Sequence, residues 1–385
     1  MSDGRKVTIV SRLFAPEVGA AAFRLRVLAE SLVAKGAEVQ VLTSKPPTQS
    51  ASEFHADYRI SRWPVLRDQG GNVRGYIQYL SFDLPVFFRL LFSAKTDVYV
   101  VEPPPTTGLM VAMVSMLRRT PFVYYSADVS SSAAKGIGVG ALPLKILTWL
   151  ERLVLRRSAG ILTVSAAVKA EIEELIGTRK DIWVVGTGVD TDTFSFEGIA
   201  EDPGFPYFLY AGTMSEIQGT TVFVEGFKLI ADEFPELKLL LFGQGTEVAE
   251  LQALTSGFEE RIAIRPPISG QEIARWFRGA KANLASVRPS RGYDFAFATK
   301  ALAGMSAGVP CIYAGVGPMR ALIDDNGLGW TADWTPASVA EAFRKALREP
   351  FSTEGRNQLA GWTEEHHSLK AVGTEAASRV LAARR

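Results

Sequence analysis

Cysteine is almost absent from this chain. Cys311 stands alone, which excludes an intramolecular disulfide and a thiolate metal cluster and fits a reducing compartment. Histidine is nearly as scarce, with only His55, His366 and His367, so a multi-histidine metal centre is not expected and no metal ligand is assigned. An excess of one charge is missing too: Lys plus Arg number 42 against 41 Asp plus Glu, so no global field draws the chain to nucleic acid, and any anionic partner must be met locally. The opening MSDGRKVTIVSRLF lacks the apolar core and cleavage site of a signal peptide. Apolar stretches such as 84–92, interrupted by Arg89, and 109–117 fall short of the ~20 residues needed to span a bilayer. These absences set the expectation of a cytoplasmic protein without a transmembrane anchor.

What is present is a globular composition, 47% hydrophobic and 22% charged, in 385 residues. That length suits two domains of roughly 150 to 200 residues. Short β-branched runs alternate with longer segments of helical period, the pattern of strands buried on both faces. Strand candidates in the first half are 7–10, 39–43, 98–101, 122–125, 161–164 and 182–185. Between the first two, residues 21–35 carry Leu25, Leu28, Ala29, Leu32 and Val33 on one helical face, with Gly36 as the stop. This is a βαβ unit, and right-handed crossover makes a parallel, doubly wound sheet the economical topology. The polar stretch 196–206 reads as a linker, and a second alternation follows it, with strand candidates 208–211, 237–242, 262–264, 282–284 and 311–313. The predicted fold class is α/β, with two Rossmann-like doubly wound domains facing a cleft at the carboxyl ends of their sheets.

Several segments resemble, in the right order, the retaining nucleotide-sugar glycosyltransferases of family 4, which have the GT-B fold. Near the start, FAPEVGAAAFRLRVLAESLVAKGAEVQVLTSKP is similar to the family's strand, Gly-bearing loop, long helix and second strand. VSAAVKAEIEEL followed by VVGTGVDTDTF resembles the signatures that precede the linker, with Thr187 where Asn is usual. YAGTMSEIQGTTVFVEGF, LLLFGQGTEVAEL and FATKALAGMSAGVPCIY resemble those of the donor domain. The resemblance covers nearly the whole chain. It implies an acceptor-side domain at 1–195, a linker at 196–206, a donor domain at 207–362, and a last segment, 363–385, whose helix over 363–383 crosses back onto the first domain. It also implies a metal-independent glycosyltransferase, with a nucleotide sugar, first of all a UDP-sugar, as substrate and no separate cofactor. The sequence departs from the family at several points. A glutamate pair that commonly binds the donor is replaced by Phe295 and Ala303, an Arg and a Lys that often hold the diphosphate by Thr213 and Gln218, and the usual acceptor-domain His has no counterpart. These losses motivate a competing reading, a non-catalytic GT-B subunit that partners an active transferase. A GT-B epimerase is a third reading, disfavoured by the shortage of cleft His and Glu.

Transfer from a nucleotide sugar needs positive charge where the diphosphate departs. Lys300, Arg291 and Arg288 follow a strand candidate and can grip phosphate oxygens; the alternative is that they are solvated loop charges. Small residues let phosphate approach backbone amides at helix starts. By resemblance Gly19 lies where the first-domain loop meets the donor, Gly212 and Thr213 beside the phosphates, and Gly243, ahead of Gly245, near the nucleotide, although such glycines also simply serve turns. The segment GVGPM, 315–319, reads as a structural turn or as cleft rim. No GxGxxG follows the first strand, which argues against a dinucleotide oxidoreductase.

For the acceptor hydroxyl, Asp128 after strand candidate 122–125 is the first catalytic candidate and Glu17 in the APEVG loop the second. Asp128 could equally be an N-cap on SADVSSSAAKG, and Glu17 could merely contact the acceptor. In the family the departing phosphate itself is held to help deprotonate the acceptor, so a strong protein base is not required. The segment LPLKILTWLERLVLRRSAG sets a stripe of Ile146, Leu147, Leu150, Leu153 and Val154 against another of Lys145, Trp149, Arg152 and Arg156. It reads either as a surface helix docked on the sheet or as a peripheral contact, through 142–157, with the inner membrane face. Together with the apolar, basic-dotted region 76–92 it hints at a glycan or lipid-linked acceptor. His366 and His367 are expected to face solvent, and Cys311 to be a small core residue.

Overall fold

The computed structural model describes residues 4–17, 19–47, 54–68, 73, 75–136, 139–179, 181–289, 294 and 296–384. The chain forms two compact units, Met1–Thr187 with Leu369–Arg385, and Gly188–Ser368. Unit 1 runs β1 (Lys6–Val10), α1 (Ala20–Ala34), β2 (Glu38–Ser44), β3 (Arg59–Trp63), α2 (Tyr76–Phe92), β4 (Val98–Val101), α3 (Pro105–Arg118), β5 (Phe122–Ser126), α4 (Ser130–Gly136), α5 (Ala141–Arg157), β6 (Gly160–Thr163), α6 (Ala166–Ile176) and β7 (Ile182–Val184). Its sheet has the order β3-β2-β1-β4-β5-β6-β7 with every pair parallel. Unit 2 runs β8 (Tyr207–Ala211), α7 (Thr221–Lys228), β9 (Lys238–Phe242), α8 (Val248–Leu254), β10 (Ile262–Arg265), α9 (Gly270–Gly279), β11 (Ala282–Val287), α10 (Thr299–Ser306), β12 (Cys311–Gly315), α11 (Pro318–Asn326), β13 (Gly329–Ala332), α12 (Pro336–Arg348) and α13 (Thr353–His367). Its sheet, also parallel, has the order β10-β9-β8-β11-β12-β13. The final helix α14 (Leu369–Ala382) belongs to unit 1.

Alternation along each strand divides its side chains between two helical layers. In unit 1, Val7, Ile9, Val39, Val41, Val98 and Val100 pack under α1 and α14, while Val10, Leu42, Tyr99, Val101 and Tyr124 pack under α2, α3, α5 and α6. Both faces are covered, which is why the strands read as unbroken apolar runs. Unit 2 repeats the plan: Phe208, Leu239, Leu241 and Ile312 face α7 and α12, and Leu209, Leu240, Val287 and Tyr313 face α9, α10 and α11. Strand order reverses at β1/β4 in one sheet and at β8/β11 in the other, the positions where doubly wound sheets open a crevice for ligands.

The structure departs from the sequence-based expectation in several places. Edge strands β3 and β13 were not anticipated. The anticipated linker, 196–206, lies within unit 2, pinned to α9 by Arg278 Nη1 donating to the Ser195 carbonyl at 3.0 Å and Nε to that of Ile199 at 2.9 Å. The single helix expected over 363–383 is two helices, because Ser368 adopts extended geometry and pairs with Val189 while the Val189 amide donates to the His367 carbonyl. Only the part after Ser368 joins unit 1. In α5 the buried positions are Glu151, Val154 and Leu155; Ile146, on the same sequence stripe as Val154, is 54% exposed, so only the carboxyl half of this helix docks on the sheet. His366 is exposed and stacks on Trp362, whereas His367 is half-buried against Phe297 and Trp362.

Candidate functional site

At the switch point of unit 2 the chain leaves β8 through Gly212, Thr213 and Met214, and leaves β9 through Gly243, Gln244 and Gly245. The two exits run side by side: the Gly212 amide donates to the Phe242 carbonyl at 2.9 Å and the Met214 amide to that of Gln244 at 2.9 Å. They are so close that a Cβ on Gly243 would stand 1.9 Å from the Gly212 carbonyl oxygen, and one on Gly245 2.0 Å from that of Met214. Only glycine permits this approach.

Lys300, on the first turn of α10, reaches across these exits. Its Nζ donates to the Tyr210 hydroxyl at 2.5 Å and to the Thr213 carbonyl at 3.3 Å, and lies 4.6 Å from the Tyr210 ring centre. Its stem passes over Gly212, where an added Cβ would meet Cε at 3.3 Å. Among the described residues no carboxylate lies within ion-pair distance of this ammonium. Burial without a counter-charge pushes its pKa down to about 7. Tyr210 lies beneath it, fully buried, and burial pushes its hydroxyl well up.

Arg288 follows β11 on the other side of the switch point. Its amide donates to the Ile217 carbonyl at 2.8 Å and its guanidinium lies 4.6 Å from the Trp334 ring, whose Nε1 in turn donates to the Gly219 carbonyl at 3.1 Å. Glu247, which the sequence reading missed, is buried beside them and accepts from the Thr220 amide at 3.2 Å. Lost hydration raises its pKa, with the Thr220 amide and Arg288 opposing. Arg291 and Phe295 lie outside the described residues. Ala303 is buried in the core under α10, so that position points into the fold in this chain. Gly315 and Gly317 form a tight passage at the end of β12, where a Cβ on Gly315 would meet the Val287 carbonyl oxygen at 2.0 Å.

In unit 1, Glu17 is buried and held by Arg67 in a two-pronged ion pair, at 2.9 and 3.1 Å. The same guanidinium donates to Ser44 Oγ and the Lys45 carbonyl, so the pair ties the loop after β1 to the end of β2. Gly19 is the N-cap of α1 in extended backbone geometry. Asp128 does not cap α4. Glu151, from α5, accepts from the Ser130 and Ser131 amides at 2.7 and 2.9 Å and takes that role. The Asp128 carboxyl is left without a hydrogen-bond partner among the described residues, and lost hydration raises its pKa with Arg24 opposing. Arg24, whose charge opposes that rise, is itself anchored by Glu102 at 3.2 Å and lies 4.9 Å from the Tyr125 ring. Glu102 is buried at the carboxyl end of β4 and also accepts from Ser11 Oγ at 2.6 Å. Burial raises its pKa, and Arg24 opposes first. A cavity of about 550 Å³ opens beside Val129, walled by Ser131, Lys135, Trp149, Arg152 and Glu171.

Residues 19–188 match the family described as Glycosyl transferase 4-like domain, and residues 205–349 that described as Glycosyl transferases group 1. Among curated relatives, the D-inositol 3-phosphate glycosyltransferase of Xylanimonas cellulosilytica is 28% identical over 56% of this chain and 57% of its own length. That of Streptomyces avermitilis is 26% identical over 63% and 53%. That of Pseudarthrobacter chlorophenolicus is 23% identical over 88% and 86%. The chain thus spans little more than half the length of the first two. Among solved structures, a glycosyltransferase from Rickettsia africae superimposes with a TM-score of 0.72 at 13% identity, covering 98% of this chain and 99% of that one. Anabaena HepE in complex with UDP-glucose gives 0.69 at 12% identity, covering 98% and 100%. At these identities the structural likeness establishes the fold.

Proposed function

We propose, for a chain that belongs to the GT-B glycosyltransferases of the family 4 type, that it moves a sugar from a nucleotide-sugar donor to an acceptor hydroxyl, with the donor diphosphate seated on unit 2. The observation that carries this reading is Lys300: a cation held at the glycine-lined exits of β8 and β9, with no counter-charge among the described residues, is a preformed place for phosphate. The exits supply close backbone approach, and Arg288, held by Trp334, adds a second cation at the switch point. Arg291 is proposed as a third on the basis of the sequence alone.

In the transfer, the bond from the sugar's anomeric carbon to phosphate breaks, its electron pair leaving with the diphosphate, and a bond to the acceptor oxygen forms. The cations of unit 2 stabilise the charge that gathers on the leaving group. The acceptor's proton goes to a leaving-group oxygen or to Asp128, whose carboxyl accepts no hydrogen bond among the described residues. Glu17, occupied by Arg67, serves to hold the acceptor-side loop. The UDP-glucose in Anabaena HepE supports a UDP-sugar as the first donor to try. The relatives' named acceptor, D-inositol 3-phosphate, supports a hydroxylated acceptor that carries negative charge. Contact with the inner membrane face through 142–157 and a lipid-linked acceptor belong to the same reading.

A panel of labelled nucleotide sugars, incubated with the protein and candidate acceptors, tests it. Label appearing in the acceptor, lost in Lys300→Ala and Asp128→Asn, is the expected result. If no nucleotide sugar binds and none donates, the reading fails.

A further inference from the structure

Large apolar side chains stand in solvent unevenly on this molecule. Among the described residues sixteen are prominently exposed, and eleven of these lie on three helices of one layer of unit 1. Ile77, Leu80, Leu84, Phe88 and Phe92 recur along α2 at steps of three or four, which places them on one face; Phe92 is 80% exposed. Met113, Met116 and Leu117 continue the surface on α3, and Leu142, Ile146 and Trp149 on α5. These helices are neighbours, α2 against α3 and α3 against α5, and all three cover the same side of the sheet through Phe82, Val86, Val111, Val114 and Val154. An exposed apolar surface of this extent is a mark of an interaction site rather than of ordinary scatter.

Charge identifies the partner. The three helices contain two acids, and both are turned inward: Asp83 is 2% exposed and accepts from Thr107 Oγ1, and Glu151 is 1% exposed and caps α4. The exposed charges on these helices, with Arg119 just past α3, are all positive: Arg89, Arg119, Lys145, Arg152, Arg156 and Arg157; Arg152 and Arg156 also donate to the Leu175 and Ile176 carbonyls, and the acids Glu171 and Glu174 beside Arg152 belong to α6. The whole chain carries a formal net charge of only +1, so this one-signed face is a local feature. A second copy of the chain, meeting through the same face, would set cations against cations. Apolar rows interleaved with cations match the interface of a bilayer bearing anionic headgroups.

We infer that the outer face of α2, α3 and α5 is a docking surface for an anionic membrane. This extends the α5 contact of the proposed function to a three-helix platform, and in its lipid-linked acceptor it rests on that reading. The docking itself does not. No helix among the described residues is long and apolar enough to cross a membrane, and the contact inferred is a peripheral one.

The test is flotation of the full chain with phosphatidylcholine vesicles, with and without phosphatidylglycerol. Wild type is expected to float with the anionic vesicles and to remain below with the neutral ones, and to be released as salt is raised. Arg152→Glu with Arg156→Glu should reduce partitioning more than tenfold, at about fivefold for each cation removed. Phe88→Ser with Phe92→Ser should weaken it comparably at low salt, through lost insertion. Every substituted side chain is exposed, and an unchanged melting temperature and unchanged titration with nucleoside diphosphate would show that the variants are folded. Equal flotation with both vesicle types, no flotation with either, or variants that float like wild type would overturn the inference. So would light scattering showing a dimer that the same substitutions dissociate. Loss of docking with nucleotide binding intact would remove this inference alone and leave the transferase reading standing.

Discussion

Lys300 has a pKa near 7 because its half-buried ammonium loses hydration over Tyr210 and, among the described residues, has no carboxylate within ion-pair distance. The consequences have definite signs. Its folded pKa lies below the unfolded 10.5, so between about pH 7 and 10.5 the unfolded chain binds more protons, and this residue's contribution to stability rises with pH across that window. Below pH 7 both states are charged and the burial penalty is present in full. A phosphate arriving at Nζ favours the charged form, so nucleotide binding should draw in a proton and weaken as pH rises above about 7. Calorimetry at pH 8 in buffers of different ionisation enthalpy would register that proton, and Lys300→Met should abolish it while raising the melting temperature of the unliganded protein at pH 6.5.

Asp128 and Glu151 form a second contrast at this scale. Asp128→Asn should lower transfer by about 10²- to 10⁴-fold, the range for loss of a general base, with little change in stability. If the activity has an acid limb, the raised carboxyl places it above the pH of an ordinary aspartate. Glu151→Ala, which strips two amides of their acceptor, should instead cost about 1–3 kcal/mol on denaturant titration. Motif position and placement after strands made Lys300 and Asp128 candidates. The sequence could not show that Glu151, some twenty residues on, takes the cap, nor that Glu102 anchors Arg24. Such pairings depend on which helix lies beside which strand, and no local spacing encodes them.

Elements built on continuous apolar runs, such as β4 with VYVV and β9 with KLLLF, were legible because burial on both faces leaves only one kind of side chain. Strand β3, RISRW, was not: it is an edge strand with most of its side chains half-buried, and it carries no apolar run. Strand β13, the four residues GWTA, is likewise an edge and opens on glycine. The break at Ser368 was invisible since neither Gly nor Pro marks it; a bridge to Val189 makes it. At this scale the glycine-lined exits are the sharpest prediction. Gly243→Ala places a methyl 1.9 Å from a carbonyl oxygen, so the exits must separate, and the variant should lose at least tenfold in nucleotide affinity and melt earlier. Gly361→Ala, within α13 where nothing lies near the added methyl, should stabilise by about 0.5–1 kcal/mol with binding unchanged.

The two units each close their own core, and unit 1 closes it with the chain's last helix. Val372, Ala376, Ala377 and Val380 of α14 pack with Leu25, Leu28, Ala29 and Leu32 of α1 over the sheet. Ending the chain after Ser368 would uncover that layer, so calorimetric melting of the shortened protein should show unit 1 lost or melting well below an unaltered unit 2. A single cooperative transition at the wild-type temperature would argue that α14 is dispensable. The double α/β plan was readable from the alternation of runs, and the resemblance implied the return of the last helix to unit 1; the boundary at Thr187 and the start of that return at Leu369 were not readable, because the stretch 196–206 has linker composition yet is tied to α9 and a bridge to Val189 sets the break at Ser368. The measurement that bears most directly on the whole account is calorimetric titration of UDP, GDP and ADP into wild type and Lys300→Ala at pH 6.5 and 8.5. The account predicts that one diphosphate binds wild type, more tightly at pH 6.5, and that the variant binds it at least tenfold more weakly with little dependence on pH. Equal affinity in the two proteins at both pH values would contradict it.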